Sequence, residues 1–560
     1  MFINDQEKSD NIWSEEGSTQ GDVGAMAMYA VGTRPLITAL HELTDQSKCQ
    51  QVWYADDSSA AGKLREIRKW WDILNDVGPK YGYYPKPSKT ILILTDPDLL
   101  DTANEIFAGT EIVMSTSGER HLGAVIGSNQ FRAEYVMAKI RNWVRDVEQL
   151  STLAADEPQL AYSAYTKALC MRWCFLQRTV PNIKKYFEPL EETIKEKFIP
   201  AIIGRNVTDL ERKIISLPVR LGGLGIQNPT LTADVEFRNS SIVTKNLTDI
   251  IVKQEMDLTN YDEESVKSAI NKTKKEKDEA HLALLGEVKD LVDDKLKRAI
   301  EFACEKGAGA WLTSLPLQSI QNVLNKEEFR NAIRLRYDWQ IPGTARFCVC
   351  GTKNTIDHIL NCKLGGYVSM RHNNIRDLVA TLLKEVCRDV KVEPELLPLG
   401  TAENSSSEKA RLDVSAVGVW SAMERTFFDV RVMHPNSPSY IGTPSEQLYV
   451  RHEREKKRKY NDRILNVDRG TFTPLILTTT GGMGPECSKF FKKLSGMIAR
   501  KRGEEYSDVV NHIRTRVRIS LLKSVLIAIH GERGKGKRRE HIPISELSLN
   551  LIPEQSSYEV

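Results

Sequence analysis

The chain of 560 residues is long enough for two to four domains, each able to bury a core of its own. Its 41% hydrophobic and 27% charged residues are typical of a globular protein, and the net charge of +3 does not by itself indicate a nucleic-acid partner. The absence of an apolar run of about twenty residues argues against a membrane span, and nine cysteines, three of them close together, favour a reducing compartment and a metal site over a disulfide framework.

The first pattern that indicates chemistry is an acidic hairpin. Three residues of strong strand preference at positions 52–54 lead into Ala55, Asp56 and Asp57, and small residues follow, which predicts a β-hairpin with two carboxylates at its tip. Neighbouring carboxylates repel each other, and divalent metal ions that bridge the phosphates of a nucleotide offset that repulsion. Taken alone, such a hairpin is more often a solvated turn than a catalytic site.

The segments on either side strengthen the catalytic interpretation. A loop with Gln20 and Gly21 precedes a helix predicted over residues 25–40, and Lys89 comes just before a predicted strand over residues 91–94. A further strand bounded by glycines is predicted over residues 121–127. In this order the motifs closely resemble the palm of a reverse transcriptase, above all those of non-LTR retrotransposons.

The resemblance assigns a role to each motif. It implies that Asp56 and Asp57 hold Mg²⁺ or Mn²⁺, that Gln20 and Gly21 contact template or nucleotide, and that Lys89 stands near the triphosphate.

One feature of that family is missing from the chain. Such polymerases carry another metal-binding aspartate on a strand well before the glutamine-glycine loop, whereas Asp5 and Asp10 lie in a polar segment with no strand pattern. We therefore expect a palm without fingers, in a chain that does not polymerise DNA by itself.

The middle of the chain is predicted to be helical. Apolar residues recur at helical spacing from Val136 to Leu150, so residues 129–235 are interpreted as a helical thumb, which ends in a glycine-rich tight turn. Residues 236–340 are rich in Lys, Glu and Asp and are expected to form an exposed helical linker with no assignable chemistry.

A compact group of cysteines and a histidine follows the linker. Cys348 and Cys350 lie on a short knuckle, and His358 and Cys362 are spaced i, i+4 on one helical face, so the four side chains can surround a zinc ion. The gap between the first two cysteines is shorter than usual, and the alternative is three buried cysteines with a capped histidine. Four protein ligands would leave no open position, which indicates a structural zinc.

The C-terminal part of the chain alternates helices and strands. The predicted elements are a helix over residues 371–387, strands over 412–417 and 426–432, a long basic helix over 445–467 and a strand over 472–479. Their order indicates a mixed α/β sandwich. Asp429 interrupts an apolar run in the second strand, where a carboxylate is unfavourable unless it is paired or binds metal.

The cysteine-histidine group and these elements resemble one branch of the non-LTR retrotransposons, in which a Cys-Cys-His-Cys knuckle precedes a restriction-like endonuclease of the PD-(D/E)XK fold. The resemblance implies two metal-binding acids, a basic pair and a tyrosine on the following helix, and an Arg-His pair after the knuckle. The matching residues are Asp413, Asp429, Lys456, Lys459, Tyr460, Arg371 and His372.

One position departs from the nuclease pattern. Arg431 stands where a lysine is expected, and an arginine can hold a phosphate but does not readily lose a proton to activate water. Lys456 or Lys459 is therefore expected to take over that function, and all three cations are expected to contact the phosphodiester. The alternative is that Asp413 is an ordinary acid at a strand end and that the basic helix is merely solvated.

These patterns predict a multidomain α/β and α protein. The expected divisions are an incomplete palm (1–128), a helical thumb (129–235), a helical linker (236–340), a zinc knuckle (341–370), a nuclease domain (371–530) and a basic, disordered tail (531–560). The expected function is Mg²⁺- or Mn²⁺-dependent cleavage of a DNA target by part of a retrotransposon protein. RNA would be the template of the complete protein, which would act in the nucleus or in a cytoplasmic ribonucleoprotein. The alternative is an inactive nucleic-acid-binding remnant or a domesticated transposon protein, and the oligomeric state stays open.

Overall fold

A computed structural model describes residues 2–5, 8–11, 22–255, 261–318, 321–397 and 410–531. The chain divides into two compact units, each assembled from several stretches of sequence. The first unit takes residues 1–142, 173–188 and 230–276, and the second unit takes residues 143–172, 189–229 and 277–560. The division passes through the segment predicted as a thumb, whose helices are shared between the units.

The N-terminal part of the first unit is built from short strand pairs and helices. In chain order these are β1 (Phe2–Asp5), β2 (Lys8–Asn11), α1 (Ala25–Leu43), β3 (Cys49–Tyr54), β4 (Asp57–Gly62), α2 (Leu64–Val77), β5 (Ile91–Ile93), α3 (Leu100–Ile106), β6 (Val113–Ser115), β7 (Gly118–His121) and β8 (Ala124–Gly127). β5 and β6 pair in parallel, and the other three pairs are antiparallel. Leu36, Leu40, Trp70, Trp71 and Leu74 pack α1 against α2.

Three sequence predictions meet the structure here. The acidic hairpin is confirmed, since Tyr54 pairs with Asp57 across β3 and β4. The single strand predicted over residues 121–127 is wrong, because the chain reverses at Leu122 and Gly123, both with positive φ, and forms the hairpin β7–β8. The expectation of no strand around residues 5 and 10 is also wrong, because a hairpin ladder needs only backbone groups and no alternation of apolar residues.

Helices dominate the middle of the chain, as predicted. They are α4 (Asn129–Asp156), α5 (Pro158–Ala164), α6 (Met171–Thr179), α7 (Glu188–Thr193), α8 (Ile199–Ile203), α9 (Asp209–Ser216), α10 (Pro229–Val252), α11 (Glu263–Leu291), α12 (Asp294–Ala303), α13 (Ala310–Thr313), α14 (Lys326–Arg336) and α15 (Ile356–Asn361). The apolar stripe of α4 is confirmed, with Val136, Ile140, Trp143 and Val147 buried. Among the helices in the described ranges, none has the length and apolar character needed to cross a membrane.

The glycine-rich turn at residues 217–225 is held by a buried arginine. Arg336 donates hydrogen bonds to the backbone carbonyls of Val219, Gly222 and Gly223 over 2.9 to 3.3 Å. A Cβ atom on Gly223 would lie 1.9 Å from the carbonyl oxygen of Leu217, so the turn requires glycine there. The predicted tight turn is therefore confirmed.

The C-terminal part of the second unit is a four-stranded sheet with helices on both faces. Its elements are α16 (Tyr367–Val386), β9 (Arg388–Val392), β10 (Val414–Val417), β11 (Arg425–Met433), α17 (Ser445–Asn466), β12 (Thr471–Thr478), α18 (Pro485–Arg502) and α19 (Tyr506–His530). The strand order is β12-β11-β10-β9, and only the β11–β12 pair of this sheet is parallel. The predicted order of helices and strands is confirmed, whereas β9, α18 and α19 were not predicted.

Alternate residues of β11 face different helices. Phe428 and Val430 belong to a buried cluster with Phe490 of α18 and residues of α16 and α19. Phe427 packs instead with Tyr460 of α17. Asp429 lies two residues after Phe427 on the same strand, so its side chain points to the same face of the sheet, the one that α17 covers.

A buried carboxyl group joins three elements of the second unit. Glu305, which follows α12, accepts a hydrogen bond of 2.9 Å from the hydroxyl of Tyr449 on α17. A Cβ atom on Gly482, after β12, would lie 1.6 Å from a carboxylate oxygen of Glu305, so a side chain there would have to displace this carboxyl group. Burial raises the pKa of Glu305 to about 7, and Tyr449, Ser445 and Arg518 partly oppose this rise.

The raised pKa of Glu305 predicts a pH dependence of stability. The folded protein keeps a proton on Glu305 that the unfolded chain releases at lower pH, so stability falls as the pH rises through this window and levels off above about 7. We expect this loss to be on the order of 3 kcal/mol, and Glu305→Gln, which stays neutral, to remove it. Urea unfolding of parent and variant between pH 4 and 9 measures the difference.

The matched control is Glu446→Gln, which changes an exposed glutamate in the first turn of α17. Its stability should follow that of the parent at every pH. Parallel curves for the parent and Glu305→Gln would contradict the assignment.

Candidate functional site

The cysteine-histidine group is formed by a knuckle and the short helix that follows it. The amide of Cys348 donates to the carbonyl of Thr352 over 2.9 Å, and Gly351 adopts the positive φ that closes the knuckle. Thr355 caps α15 by accepting a hydrogen bond from the amide of His358. Cys362 stands at the end of α15 and donates its amide to the carbonyl of His358, so one helical turn brings these two ligand residues together.

The four side chains have the geometry of a metal site. The ligand atoms of Cys348, Cys350, His358 and Cys362 all lie within 4.8 Å of one another. The sulfurs of Cys348 and Cys362 are 3.9 Å apart, and the sulfur of Cys350 is 3.3 Å from Nε2 of His358. Tetrahedral zinc–sulfur bonds of about 2.3 Å would put two sulfurs about 3.7 Å apart. The predicted grouping is confirmed, and this group can hold a metal ion such as zinc.

A buried histidine attaches the knuckle to the sheet. His434, just after β11, contacts the carboxylate of Asp357 on α15 through Nε2 and the hydroxyl of Thr479 through Nδ1, each over 2.8 Å. The amide nitrogen of Asn361 also donates to the hydroxyl of Ser437 over 2.9 Å. Sequence reasoning missed this link, because nothing near position 434 marks a lone histidine as a partner of a residue so far away in the chain.

The two predicted nuclease acids lie near each other, Asp413 just before β10 and Asp429 within β11. Val414 pairs with Phe428, and the amide of Asp413 donates to the carbonyl of Phe428 over 3.1 Å. The carboxylate of Asp413 accepts a hydrogen bond from the amide of Val430, the residue after Asp429, so the two acids lie near each other. The two carboxylates interact electrostatically, since the charge of Asp413 adds to the raised pKa of Asp429.

Asp413 is held by two hydrogen bonds. One carboxylate oxygen lies 2.8 Å from Nε2 of His372 on α16, and the other accepts from the backbone amide of Val430 over 2.5 Å. Its side chain keeps 16% of its surface exposed, so the carboxylate remains in reach of solvent. His372 thus orients the acid, a contact that sequence spacing did not specify.

Asp429 is buried, with only 6% of its surface exposed. Burial raises the pKa of its carboxyl group, while the ammonium of Lys456, 2.5 Å from a carboxylate oxygen, opposes the rise. The carboxylate is therefore paired, as an acid in an apolar strand requires.

The other predicted cations lie around this pair. Lys459 stands 4.8 Å from the centre of the Tyr460 ring, and the charge of Asp429 contributes to its raised pKa, after the larger effect of Tyr460. Arg431 forms a salt bridge of 2.9 Å with Glu455 on α17. Glu455 was not predicted, although an acid inside an otherwise basic helical run was a usable signal.

Arg371 does not lie on the same surface. It is 2% exposed and donates to the backbone carbonyl of Leu360, so the expectation that it contacts nucleic acid does not fit its position. Burial lowers the pKa of its guanidinium to about 10. The helix from which it projects packs on the knuckle segment, and Arg371 joins the two.

The acidic hairpin of the first unit is less complete. Asp56 and Asp57 are exposed at its tip, and the hydroxyl of Tyr83 donates to the backbone carbonyl of Asp56 over 3.0 Å. Lys89 is exposed in a short turn before β5. Gln20 and Gly21 lie outside the described residues. Within the described part of the chain, only the cysteine-histidine group brings three or more His, Cys, Asp or Glu side chains close enough to share an ion.

No protein-family model matches the sequence, and no curated protein matches it.

The knuckle geometry predicts one bound metal ion per chain. Replacing two ligands, in Cys348→Ser/Cys350→Ser, should remove the metal and destabilise the second unit by several kcal/mol, because the binding free energy of a structural metal is also folding free energy. Atomic absorption of the purified protein gives the zinc content, and urea unfolding gives the stability.

Cys387→Ser is the control, since it changes a half-buried thiol at the end of α16, outside the group. It should keep its zinc. Equal zinc content in the double variant and the parent would contradict the proposed ligand set.

Proposed function

We propose that the second unit is a metal-dependent DNA endonuclease derived from a non-LTR retrotransposon. The observation that carries the proposal is the proximity of Asp413, bonded to the amide of Val430, to Asp429, with His372 in contact with the first acid and Lys456 with the second. Two neighbouring acids that can bind a metal ion, with a cation beside them, suit metal-dependent hydrolysis of a phosphodiester.

The two acids suit a hard divalent cation. Mg²⁺ binds through oxygen atoms and commonly takes only one or two carboxylates from the protein, with water and phosphate completing its shell. Asp413 is partly exposed, and Asp429 is a buried carboxylate whose pKa is raised, so a nearby positive charge stabilises its ionised form. Mg²⁺ or Mn²⁺ held there would lower the pKa of a bound water and offset charge on the scissile phosphate.

The surrounding side chains have separable tasks. His372 orients the carboxylate of Asp413, so it is a positioning residue. The ammonium of Lys456 can leave Asp429 and bind a phosphate oxygen, or it can take the role of the missing lysine. The guanidinium of Arg431 acts only as a positive charge. Lys459 beside Tyr460 supplies a further cation for the DNA backbone.

The proposed retrotransposon origin also implies roles for the zinc ion and for the nucleic acids. A zinc ion in the knuckle would have a structural task, because its four ligands leave no open position. DNA is the substrate, RNA is the template of the complete element, and the place of action is the nucleus or a cytoplasmic ribonucleoprotein.

A silent nucleic-acid-binding remnant is the second candidate, and one observation favours it. Both oxygens of Asp413 already accept hydrogen bonds, and Asp429 is already paired with Lys456. Each acid therefore has a partner of its own without an ion. Both candidates predict DNA binding that weakens steeply with salt, and they differ only in cleavage.

Cleavage is tested with supercoiled plasmid in Mg²⁺ or Mn²⁺. We expect the parent to nick the plasmid, Asp413→Asn and Asp429→Asn to lose at least about a hundredfold in rate, and His372→Ala to lose about 10- to 100-fold as a residue that orients a ligand. Conversion of supercoiled to open-circular DNA on agarose gels gives the rates.

Asp462→Asn, an exposed acid on α17, is the matched control and should nick at the parental rate. Absence of nicking in every sample would reject the endonuclease and favour the silent binder. Equal nicking by the parent and both acid variants would also reject the assignment and point to a contaminant.

The acidic hairpin predicts no polymerase activity for this chain alone. Asp56 and Asp57 have no third acid beside them among the described residues, so two-metal nucleotide transfer lacks a ligand. The purified chain should incorporate no labelled deoxynucleotide on a primed RNA template. Incorporation by the parent that is lost in Asp56→Asn/Asp57→Asn would overturn this prediction.

A further inference from the structure

A second cationic surface lies in the second unit, at the ends of α16 and α18. These helix ends border an open depression of about 740 Å³. The basic residues that line it are Lys384, Arg388, Arg500 and Lys501, and we call this surface the cationic depression. Its lining also includes one carboxylate, that of Glu385.

Among the residues that the structure describes, the four cations have no acidic partners. Arg388 donates to the carbonyl of Ala422 over 2.9 Å, and Arg500 donates to the carbonyl of Gly496 over 3.2 Å. Lys501 donates to the backbone carbonyl of Glu385. These acceptors are neutral, and in the described ranges none of the four cations forms a salt bridge.

The single carboxylate of the depression is already neutralised from outside it. Glu385 forms a salt bridge of 2.6 Å with Arg502, which also approaches Glu504. The depression therefore keeps an excess of several positive charges, which repel one another unless an anion is bound.

The dipoles of the two helix ends are too weak to balance this positive charge. The C-terminus of a helix carries about half a negative charge, and basic side chains there are favourable. Two helices, α16 and α18, end at the depression, so their dipoles would offset about one positive charge in total. Four unpaired cations exceed that amount.

We infer that the cationic depression binds the phosphodiester backbone of a polynucleotide. Pockets for small molecules are mostly enclosed and apolar, whereas this one is open and cationic, as contact with a continuous polyanion requires. The identity of the ligand as DNA rests on the proposed nuclease function.

The position of the depression fits a second contact with the DNA that is cut. Lys384 follows His372 by twelve residues along α16, which corresponds to about 18 Å along the helix axis. A duplex covers that length in about five base pairs. The depression would hold phosphates away from the scissile bond, and so add affinity without touching the reacting atoms.

The test compares the salt dependence of DNA binding in matched variants. Lys384→Gln/Arg500→Gln/Lys501→Gln removes three charges from the depression, and the control Lys272→Gln/Lys274→Gln/Lys306→Gln removes three exposed charges elsewhere. Fluorescence anisotropy with a labelled 30-base-pair duplex gives the affinity at several salt concentrations. The slope of log affinity against log salt should become shallower by about 2 to 3 in the first variant and stay parental in the control.

A third variant guards against misfolding. Lys384→Arg/Arg500→Lys/Lys501→Arg keeps every charge and should bind DNA with the parental slope. Equal slopes in the depression variant and the control, or no duplex binding by the parent, would overturn the inference. Binding of inorganic tripolyphosphate to the parent, with the duplex slope unaffected by the depression variant, would show a small-anion site and overturn it as well.

The outcome is independent of cleavage. A chain that never nicks plasmid, but whose salt slope becomes shallower only in the depression variant, would reject the endonuclease and support the cationic depression. A chain that nicks with equal slopes in all variants would do the reverse.

Discussion

Repulsion between two carboxylates on neighbouring strands is the constraint around which the second unit is arranged. The negative charge of Asp413 adds to the raised pKa of Asp429, because like charges disfavour each other's ionised forms. Asp413 and Asp429 therefore need compensation, and each receives it from different groups. His372 and the amide of Val430 hold the first acid, and Lys456 holds the second.

The sheet topology makes this compensation possible. α17 connects the parallel strands β11 and β12, so it must cross one face of the sheet, and its basic residues come to lie over the odd-numbered residues of β11. The even-numbered residues build the core with α16, α18 and α19. A shift of one residue in the register of β11 would turn Asp429 into that core and Phe428 toward Lys456, so the register and the site depend on each other.

Local pattern was enough to predict several of the elements, because it records the period of burial. The strand pair that carries Asp413 and Asp429, the helix with Lys456 and the four-residue metal group were all readable in that way. The contacts of Glu305, His434 and Glu455 were not, since each depends on partners that only the packed helices and strands bring near. The same holds for the cationic depression, where Lys384 and Arg500 meet from helices that are far apart in sequence. The β1–β2 hairpin shows the opposite limit, because its ladder leaves no apolar period to detect.

The link between the knuckle and the sheet has a consequence for recombination between related chains. Asp357 and Asn361 on α15 reach His434 and Ser437, which lie more than seventy residues further along the chain. A graft of the cysteine-histidine segment into another protein would leave a buried imidazole behind without its acid. Recombination between related chains should therefore preserve both segments together, as a pair inherited from one parent, even though a helix and three strands lie between them.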